Sequence, residues 1–228
     1  MHMEPGIVDT SKIVLSYVTA SACAFYAAKL AVEHVRSEGV VSLLLRSTLA
    51  ALWVFVFFEV FVHVPVGVSE VHLILGSSLF LILGAAPAAI GLAAGLALQS
   101  LVFEPHDLPQ YGMNLTTLLA ALFALQSVAK RVLPKRLAYV DLRYEHVLKM
   151  SVVFQGGVVA WVAFWTIYGR GLDAQTAQSI CTFGAAYMSV VLLEPLINLG
   201  LLASAKSLHA RSKAAGSVLL TQRLLQVN

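Results

Sequence analysis

Charged residues are scarce in this sequence. Asp, Glu, Lys and Arg make up 12% of its 228 residues, about half of the roughly 25% that soluble domains usually carry. Hydrophobic residues account for 59% of the chain, and the mean hydropathy is +0.82. Since a membrane span needs about 20 apolar residues, the chain has room for six to eight spans and little else. The composition therefore predicts an all-α integral membrane protein.

The motifs of several functional classes are missing. There is no G-x-x-x-x-G-K-[ST], so the chain cannot hydrolyse ATP itself, and no H-E-x-x-H, which argues against an intramembrane metalloprotease. The basic residues behind the net charge of +3 lie in loops beside apolar runs and are not interleaved with aromatic residues. We therefore expect neither an enzyme nor a nucleic-acid-binding protein.

Cysteines are few, and no signal peptide is recognisable. Cys23 and Cys181 both lie in apolar runs, where a free thiol behaves as a small hydrophobic group, so no disulfide is expected. The chain starts M-H-M-E-P-G-I-V-D-T-S-K, without the basic region that opens a signal peptide. We expect the mature protein to begin at Met1.

Seven apolar runs predict membrane spans. They cover residues 13–35, 40–62, 71–84, 86–103, 112–133, 147–168 and 179–205. The third and fourth are short and joined by G-A-A-P, so they could form one broken helix or a tight hairpin, which leaves six or seven spans.

The distribution of Lys and Arg favours seven spans. With seven, one side of the membrane carries only Lys12 and Arg170, and the other carries Arg36, Lys130, Arg131, Lys135, Arg136, Arg143, Lys149, Lys206, Arg211, Lys213 and Arg223. Because cytoplasmic loops are enriched in Lys and Arg, we predict an outside amino terminus and a cytoplasmic carboxy terminus. Residues 1–228 then form one transmembrane domain: an extracytoplasmic segment (1–12), a helical bundle (13–205) and a basic cytoplasmic tail (206–228).

Small and ionisable residues within the spans have predicted roles. Gly84, Ala88, Gly91 and Gly95 are three or four residues apart, which favours close helix packing inside the bundle, with docking of a partner subunit as the alternative. Lys29 and Arg46 lie near cytoplasmic span ends and are expected to snorkel. Glu59 and Glu194 lie nearer the outer side or mid-depth. We interpret Glu194, which is followed by Pro195, as part of a polar helix kink, with a role in proton relay as the alternative.

Polar residues on the predicted outer side indicate metal binding. They are His2, Glu4, Asp9, His63, Ser69, Glu70, His72, Glu104, His106, Asp107, Gln110 and Asn114. This side thus holds four of the seven histidines, and imidazole is the commonest metal ligand.

A histidine in second position can chelate a metal together with the backbone. The Met1 amine and the His2 amide nitrogen close a five-membered ring, and that amide and His2 Nδ1 close a six-membered one. Three coplanar nitrogens and a fourth nitrogen from another imidazole suit Ni(II), Cu(II) or low-spin Co(II), but not Zn(II), which prefers a tetrahedron. The alternative for His2 is a frayed, solvated terminus.

Two further choices concern the terminus and the fourth ligand. Pro5 and Gly6 are typical of a turn that folds the terminus back, and Ile7 and Val8 could pin it to the bundle. His72 opens the third span and is the favoured fourth ligand. The competitor His63 shares a helix face with Glu59 and could pair with it. His106 is interpreted as a loop residue.

Three stretches resemble a known family. They are M-H-M-E-P-G, P-V-G-V-S-E-V-H-L-I-L-G and D-L-P-Q-Y-G-M-N-L-T-T-L-L, and they resemble the cobalt and nickel substrate-capture subunits (CbiM/NikM type) of energy-coupling factor transporters. The resemblance implies seven helices and a metal held by the Met1 amine, the His2 amide and imidazole, and His72. It also implies a supporting role for Asn114. Where the family often reads P-G-G-T-S-G-H, this chain is one residue longer and places Ser69 and Glu70 beside the site.

The same resemblance implies partners and a location. The partners are a transmembrane coupling subunit, a pair of cytoplasmic ATPases and a small accessory membrane subunit, all in a bacterial cytoplasmic (inner) membrane. Co²⁺ or Ni²⁺ is then transported cargo, and no permanently bound cofactor is expected. Two alternatives remain from the residues alone: a seven-span receptor, and a haem-binding electron carrier, which would need histidines facing one another at membrane depth.

Overall fold

The computed structural model of the protein describes residues 6–9, 11–61, 64–133 and 142–194, together with residues 196, 197, 200 and 203. These residues are mainly helical, as the composition predicts. The α-helices are α1 (Val14–Glu38), α2 (Val40–Phe55), α3 (Gly76–Leu83), α4 (Ala85–Leu98), α5 (Tyr111–Val132), α6 (Tyr144–Arg170) and α7 (Ala174–Met188). One turn of π-helix extends α2 over Val56–Val60 and another extends α4 over Gln99–Phe103, and a 3₁₀ segment, Pro105–Gln110, leads into α5.

Six helical segments within the described residues are long and apolar enough to cross a membrane. They are Val14–Glu38, Val40–Val60, Ala85–Phe103, Pro105–Val132, Tyr144–Arg170 and Ala174–Glu194. The chain is therefore a multi-pass membrane protein. Each of these segments coincides with one of the predicted spans to within a few residues, except that α5 is preceded by the 3₁₀ segment and α7 begins earlier.

The third predicted span, residues 71–84, is not a continuous helix. Its first residue ends a short antiparallel hairpin of β1 (Val64–Val66) and β2 (Ser69–Val71), and only α3 is helical. Eight residues rise about 12 Å, well short of a hydrocarbon core of about 30 Å. Gly84, with φ of 94°, separates α3 from α4. Hydropathy alone does not register this change of backbone conformation within one apolar run.

Helices α2 and α4 run in the same direction and pack closely. A Cβ added to Gly95 would lie 2.6 Å from Val54 Cγ1, and one added to Gly91 would overlap Ala50. The predicted internal packing of Gly91 and Gly95 is thus confirmed, whereas Gly84 is the break before the helix. Because α2 and α4 are parallel, residues 61–84 return the chain to the end at which α2 began.

Several segments meet at the end of the bundle where α1 begins, which we call the amino-terminal end. Lys12 Nζ donates to the carbonyls of Tyr168 (3.0 Å) and Gly169 (3.3 Å) at the end of α6. Tyr17 Oη donates to Pro109 O (3.3 Å) before α5. The β1–β2 hairpin contacts the first half of α7. The segment before α1, the hairpin, the 3₁₀ segment and the turn between α6 and α7 therefore all lie at this end.

The opposite end carries an ion pair in place of a predicted snorkelling side chain. Arg46 is 3% exposed, and its Nη1 lies 2.7 Å from Glu38 Oε2. The Glu38 carboxylate supplies a local partner, so the guanidinium does not extend toward water as expected. Lys29, in contrast, is exposed.

Candidate metal centre

The β1–β2 hairpin positions His72 immediately after its second strand. Gly67 has a positive φ of 66° in the two-residue turn, a conformation that glycine adopts without strain. A Cβ at Gly67 would also lie 2.5 Å from Ser179 O of α7, so the hairpin sits directly on that helix. Local turn chemistry and this close approach both require glycine in the loop that precedes His72.

His72 is fully buried and paired with Glu70. Its side chain is 0% exposed, and Nε2 lies 3.0 Å from Glu70 Oε2. Side chains two residues apart along a strand point to the same face, which brings the carboxylate to the imidazole. The ring also packs 5.1 Å from that of Phe58 at the end of α2. Glu70, at 24% exposure, connects this buried imidazole to the surface.

The pairing suits a metal-binding imidazole. A histidine that binds a metal through one ring nitrogen usually donates its other N–H to a carboxylate or carbonyl, which fixes the tautomer and raises the basicity of the ligand. Glu70 can accept such a bond from His72 Nε2. In this arrangement Nδ1 is the ring nitrogen that could bind a metal.

The other predicted site residues have different outcomes. Ser69 is buried in β2 beside Glu70, and Asn114 is buried in the first turn of α5 at the same end of the bundle. His106 is 69% exposed, and its Nε2 lies 3.5 Å from Asp107 Oδ1. The segment that was predicted to be a loop is a 3₁₀ connection before α5. Met1, His2 and His63 lie outside the described residues. Among the residues that are described, no three His, Cys, Asp or Glu side chains cluster as a metal site.

Residues close to the terminus are folded onto the bundle. Ile7 is 2% exposed and Val8 6%, and the Ile7 carbonyl would overlap a Cβ added to Gly169. Gly6 precedes them with φ of 84°. The predicted anchoring of the terminus by Ile7 and Val8 is thus confirmed by their burial.

The amino-terminal end is acidic. Among described residues it carries Lys12 and Arg170 against Asp9, Glu59, Glu70, Glu104, Asp107 and Asp173. Asp173 caps α7, and a hydrogen bond from the Thr176 backbone N–H (2.6 Å) lowers the pKa of its carboxyl. Such an excess of negative charge raises the local concentration of cations.

Glu194 makes contacts that go beyond the polar helix kink predicted from its neighbours in the sequence. The carboxylate is 0% exposed and lies at the start of α3. Its Oε1 accepts hydrogen bonds from the Ser77 backbone N–H (3.0 Å), Ser77 Oγ (2.7 Å) and the Ser78 backbone N–H (3.3 Å). Its Oε2 accepts from Ser151 Oγ and from Gln155 Nε2 (3.2 Å). These partners are at least 39 residues away in the chain, so no local sequence pattern identifies them.

The sequence is similar to a known family, and the fold is similar to a known structure. A family model described as CbiM, cobalt uptake substrate-specific transmembrane region, matches residues 2–221. No curated protein sequence matches. The fold is similar to a solved structure described as the crystal structure of a transition metal transporter, with a TM-score of 0.67 and 18% sequence identity. The match covers 93% of this chain and 98% of that one, and at this identity it shows a shared fold.

Proposed function

This chain belongs to the CbiM family of cobalt-uptake transmembrane regions, and we propose that it captures Co²⁺ or Ni²⁺ at the amino-terminal end of its bundle. The family is a transport component and not an enzyme. The observation that carries the proposal is the buried His72 with Nε2 against Glu70, since this is the arrangement in which an imidazole is oriented for a metal.

The remaining ligands are proposed to come from the start of the chain. The Met1 amine, the His2 amide and the His2 imidazole supply three nitrogens, and His72 supplies the fourth. Burial of Ile7 and Val8 against the end of α6 supports this, because six residues extend at most about 21 Å. The first described residues of the chain thus lie at the end of the bundle that holds the hairpin.

The ligand set determines which metals are accepted. Four nitrogens in a plane suit Ni(II) and low-spin Co(II), and a zinc ion would have to abandon its tetrahedral preference. The acidic amino-terminal end supports the capture of a cation from dilute solution. The affinity order of the metals does not by itself separate cobalt from nickel.

We propose seven passages through the membrane, with the third discontinuous. The parallel course of α2 and α4 supports this count, because residues 61–84 must return along the bundle between them. The hairpin, the residues after His72 and α3 together make that passage. The amino terminus then lies outside and the carboxy terminus in the cytoplasm of a bacterial inner membrane.

Transport requires partners, because the chain has no P-loop for ATP. We propose a transmembrane coupling subunit and a pair of cytoplasmic ATPases, with a small accessory membrane subunit. The ATPases would then supply the energy, and this chain would supply metal recognition.

The terminal chelate is tested by adding three alanines before Met1. A single added residue would place the histidine third in the chain, where the new amine, two amides and the imidazole again offer four nitrogens in a plane. Three added residues separate the amine from the histidine, so they should abolish binding at metal concentrations that saturate the unmodified chain. Binding is measured on purified protein by metal analysis, with Co²⁺ and Ni²⁺ in competition. The matched control carries three alanines after Asn228 and should bind as the unmodified chain does. Equal affinity of both extended proteins would disprove the chelate.

A further inference from the structure

We propose that Glu194 is a positioning residue for the metal ligand His72. It holds the chain from His72 to Ser78 against α6 and α7, so that the imidazole meets the metal in a fixed place. This inference rests on the proposed function, since it assigns Glu194 a task in that same site.

Glu194 contacts the start of α3. The backbone N–H groups of Ser77 and Ser78 belong to the first turn of α3 and donate to one oxygen of the carboxylate. A helix amino terminus carries unpaired N–H groups and partial positive charge, which favour a carboxylate. Glu194, from the end of the seventh span, thus takes the place of the local side-chain cap that α3 lacks.

Hydrogen bonds through Gln155 connect Glu194 to His72. Gln155 Nε2 contacts Glu194 Oε2 (3.2 Å) and also donates to Ile74 O (2.8 Å). The Ile74 backbone N–H in turn donates to His72 O (2.9 Å). A continuous series of hydrogen bonds therefore runs from the carboxylate to the backbone of the proposed ligand.

Packing leaves this segment little freedom to move. Ile74, Leu75 and Gly76 are all buried. A Cβ added to Gly76 would overlap the ring of Phe154, which is itself fully buried on α6. The segment after His72 is thus enclosed by apolar side chains and oriented by the hydrogen bonds of Glu194 and Gln155.

The chemistry of burial favours a specific role over a simple kink. A carboxylate in the interior of a membrane bundle is costly unless it is fully hydrogen-bonded. Here five donors from α3 and α6 surround it. A kink in α7 would not need hydrogen bonds to the segment that follows His72, so these contacts indicate a further role.

The test compares the metal affinity of Glu194→Gln and Gln155→Met with that of the unmodified chain. The glutamine cannot accept hydrogen bonds with both of its terminal atoms, and the methionine removes the bond to Ile74 O at similar volume. Loss of groups that orient a metal ligand typically weakens binding 10–100-fold, and we expect a change of about that size in both variants. The absorption spectrum of the bound metal should shift as well, because the imidazole is no longer fixed.

The control for stability is Leu125→Ala. Leu125 is fully buried in α5, about 21 Å along the helix from Tyr111, and its removal leaves a cavity. It should lower the unfolding temperature without changing metal affinity or spectrum. If Glu194→Gln and Gln155→Met bind metal as tightly as Leu125→Ala at equal loss of stability, the positioning role is wrong.

Hydrogen exchange separates this inference from the proposed function. In the metal-free protein, the amides of residues 73–78 should exchange faster in Glu194→Gln than in Leu125→Ala. Unchanged exchange there would overturn the positioning role even if the unmodified chain binds metal. If the unmodified chain bound neither Co²⁺ nor Ni²⁺, the proposed function would be wrong, and so would the assignment of His72 as a ligand. The exchange result would still show whether Glu194 fixes residues 73–78.

Discussion

Glu70 lies in β2, two residues before His72. The strand alternation of the hairpin places its carboxylate 3.0 Å from His72 Nε2. A carboxylate at this distance fixes the imidazole tautomer and makes the opposite nitrogen a stronger donor to a metal. A half-buried residue therefore orients an imidazole that is itself shielded from water.

At the residue scale, we expect Glu70→Ala to weaken Co²⁺ and Ni²⁺ binding by about 10–100-fold, because the imidazole loses its orienting partner. Isothermal titration of purified protein measures the change. Asp9→Asn is the matched control, since it removes one negative charge from an exposed residue at the same end of the bundle. Equal effects of the two substitutions would show that Glu70 acts only through general electrostatic attraction.

The pair of helices α2 and α4 depends on the absence of side chains. Gly91 and Gly95 face Ala50 and Val54 at distances that leave no room for a methyl group. In lipid, where hydrophobicity does not drive helices together, such close contact provides the association. The stripe thus serves the interior of the bundle, and its direction determines how the third passage must return.

At the element scale, Gly91→Ala should destabilise the protein by about 1–3 kcal/mol, since the added methyl group overlaps Ala50 and its neighbouring backbone. Thermal unfolding in detergent gives the measurement. Gly156→Ala in α6 is the control, because a Cβ there meets nothing within 4 Å. It should be neutral or stabilising by up to about 1 kcal/mol through helix propensity. A result in which both variants are equally stable would contradict the packing argument.

Charge is distributed unequally between the two ends of the whole molecule. Described acidic residues outnumber basic ones at the amino-terminal end, whereas Arg36, Lys130, Arg131, Arg143 and Lys149 lie toward the other end. A cation would be attracted to the first end, and the excess of Lys and Arg predicts that the second faces the cytoplasm. The proposed capture of a metal ion and the predicted membrane orientation thus rest on the same asymmetry of charge.

At the scale of the molecule, we expect Leu172→Cys to react with a membrane-impermeant maleimide in intact cells. Arg143→Cys should react only after the membrane is permeabilised. Leu172 lies in the turn between α6 and α7, Arg143 precedes α6, and both are exposed. Both substitutions are made in a chain with Cys23 and Cys181 replaced by alanine. The reverse labelling pattern would show that the amino terminus faces the cytoplasm.

From the amino-acid sequence one can predict the membrane class, the approximate place of six helical segments and the internal packing of Gly91 and Gly95. Hydropathy and helical spacing are local properties, so they can be read within a window of about 20 residues. The burial of Ile7 and Val8 can be predicted in the same way, since a short apolar run is stabilised by packing against the rest of the protein. The terminal chelate of Met1 and His2 stays a prediction from residue chemistry alone.

The packing of the helices sets how the apolar run at residues 71–84 is divided, how Glu70 contacts His72 and where Glu194 lies. Hydropathy does not distinguish a hairpin, an extended segment and a short helix when all are apolar. The contact between Ser77 and Glu194 joins residues 117 positions apart, and such distances are set by the packing of whole helices. The position of the proposed metal ligand therefore depends on contacts made across the bundle, because its own neighbours in the chain do not cap the helix that follows it.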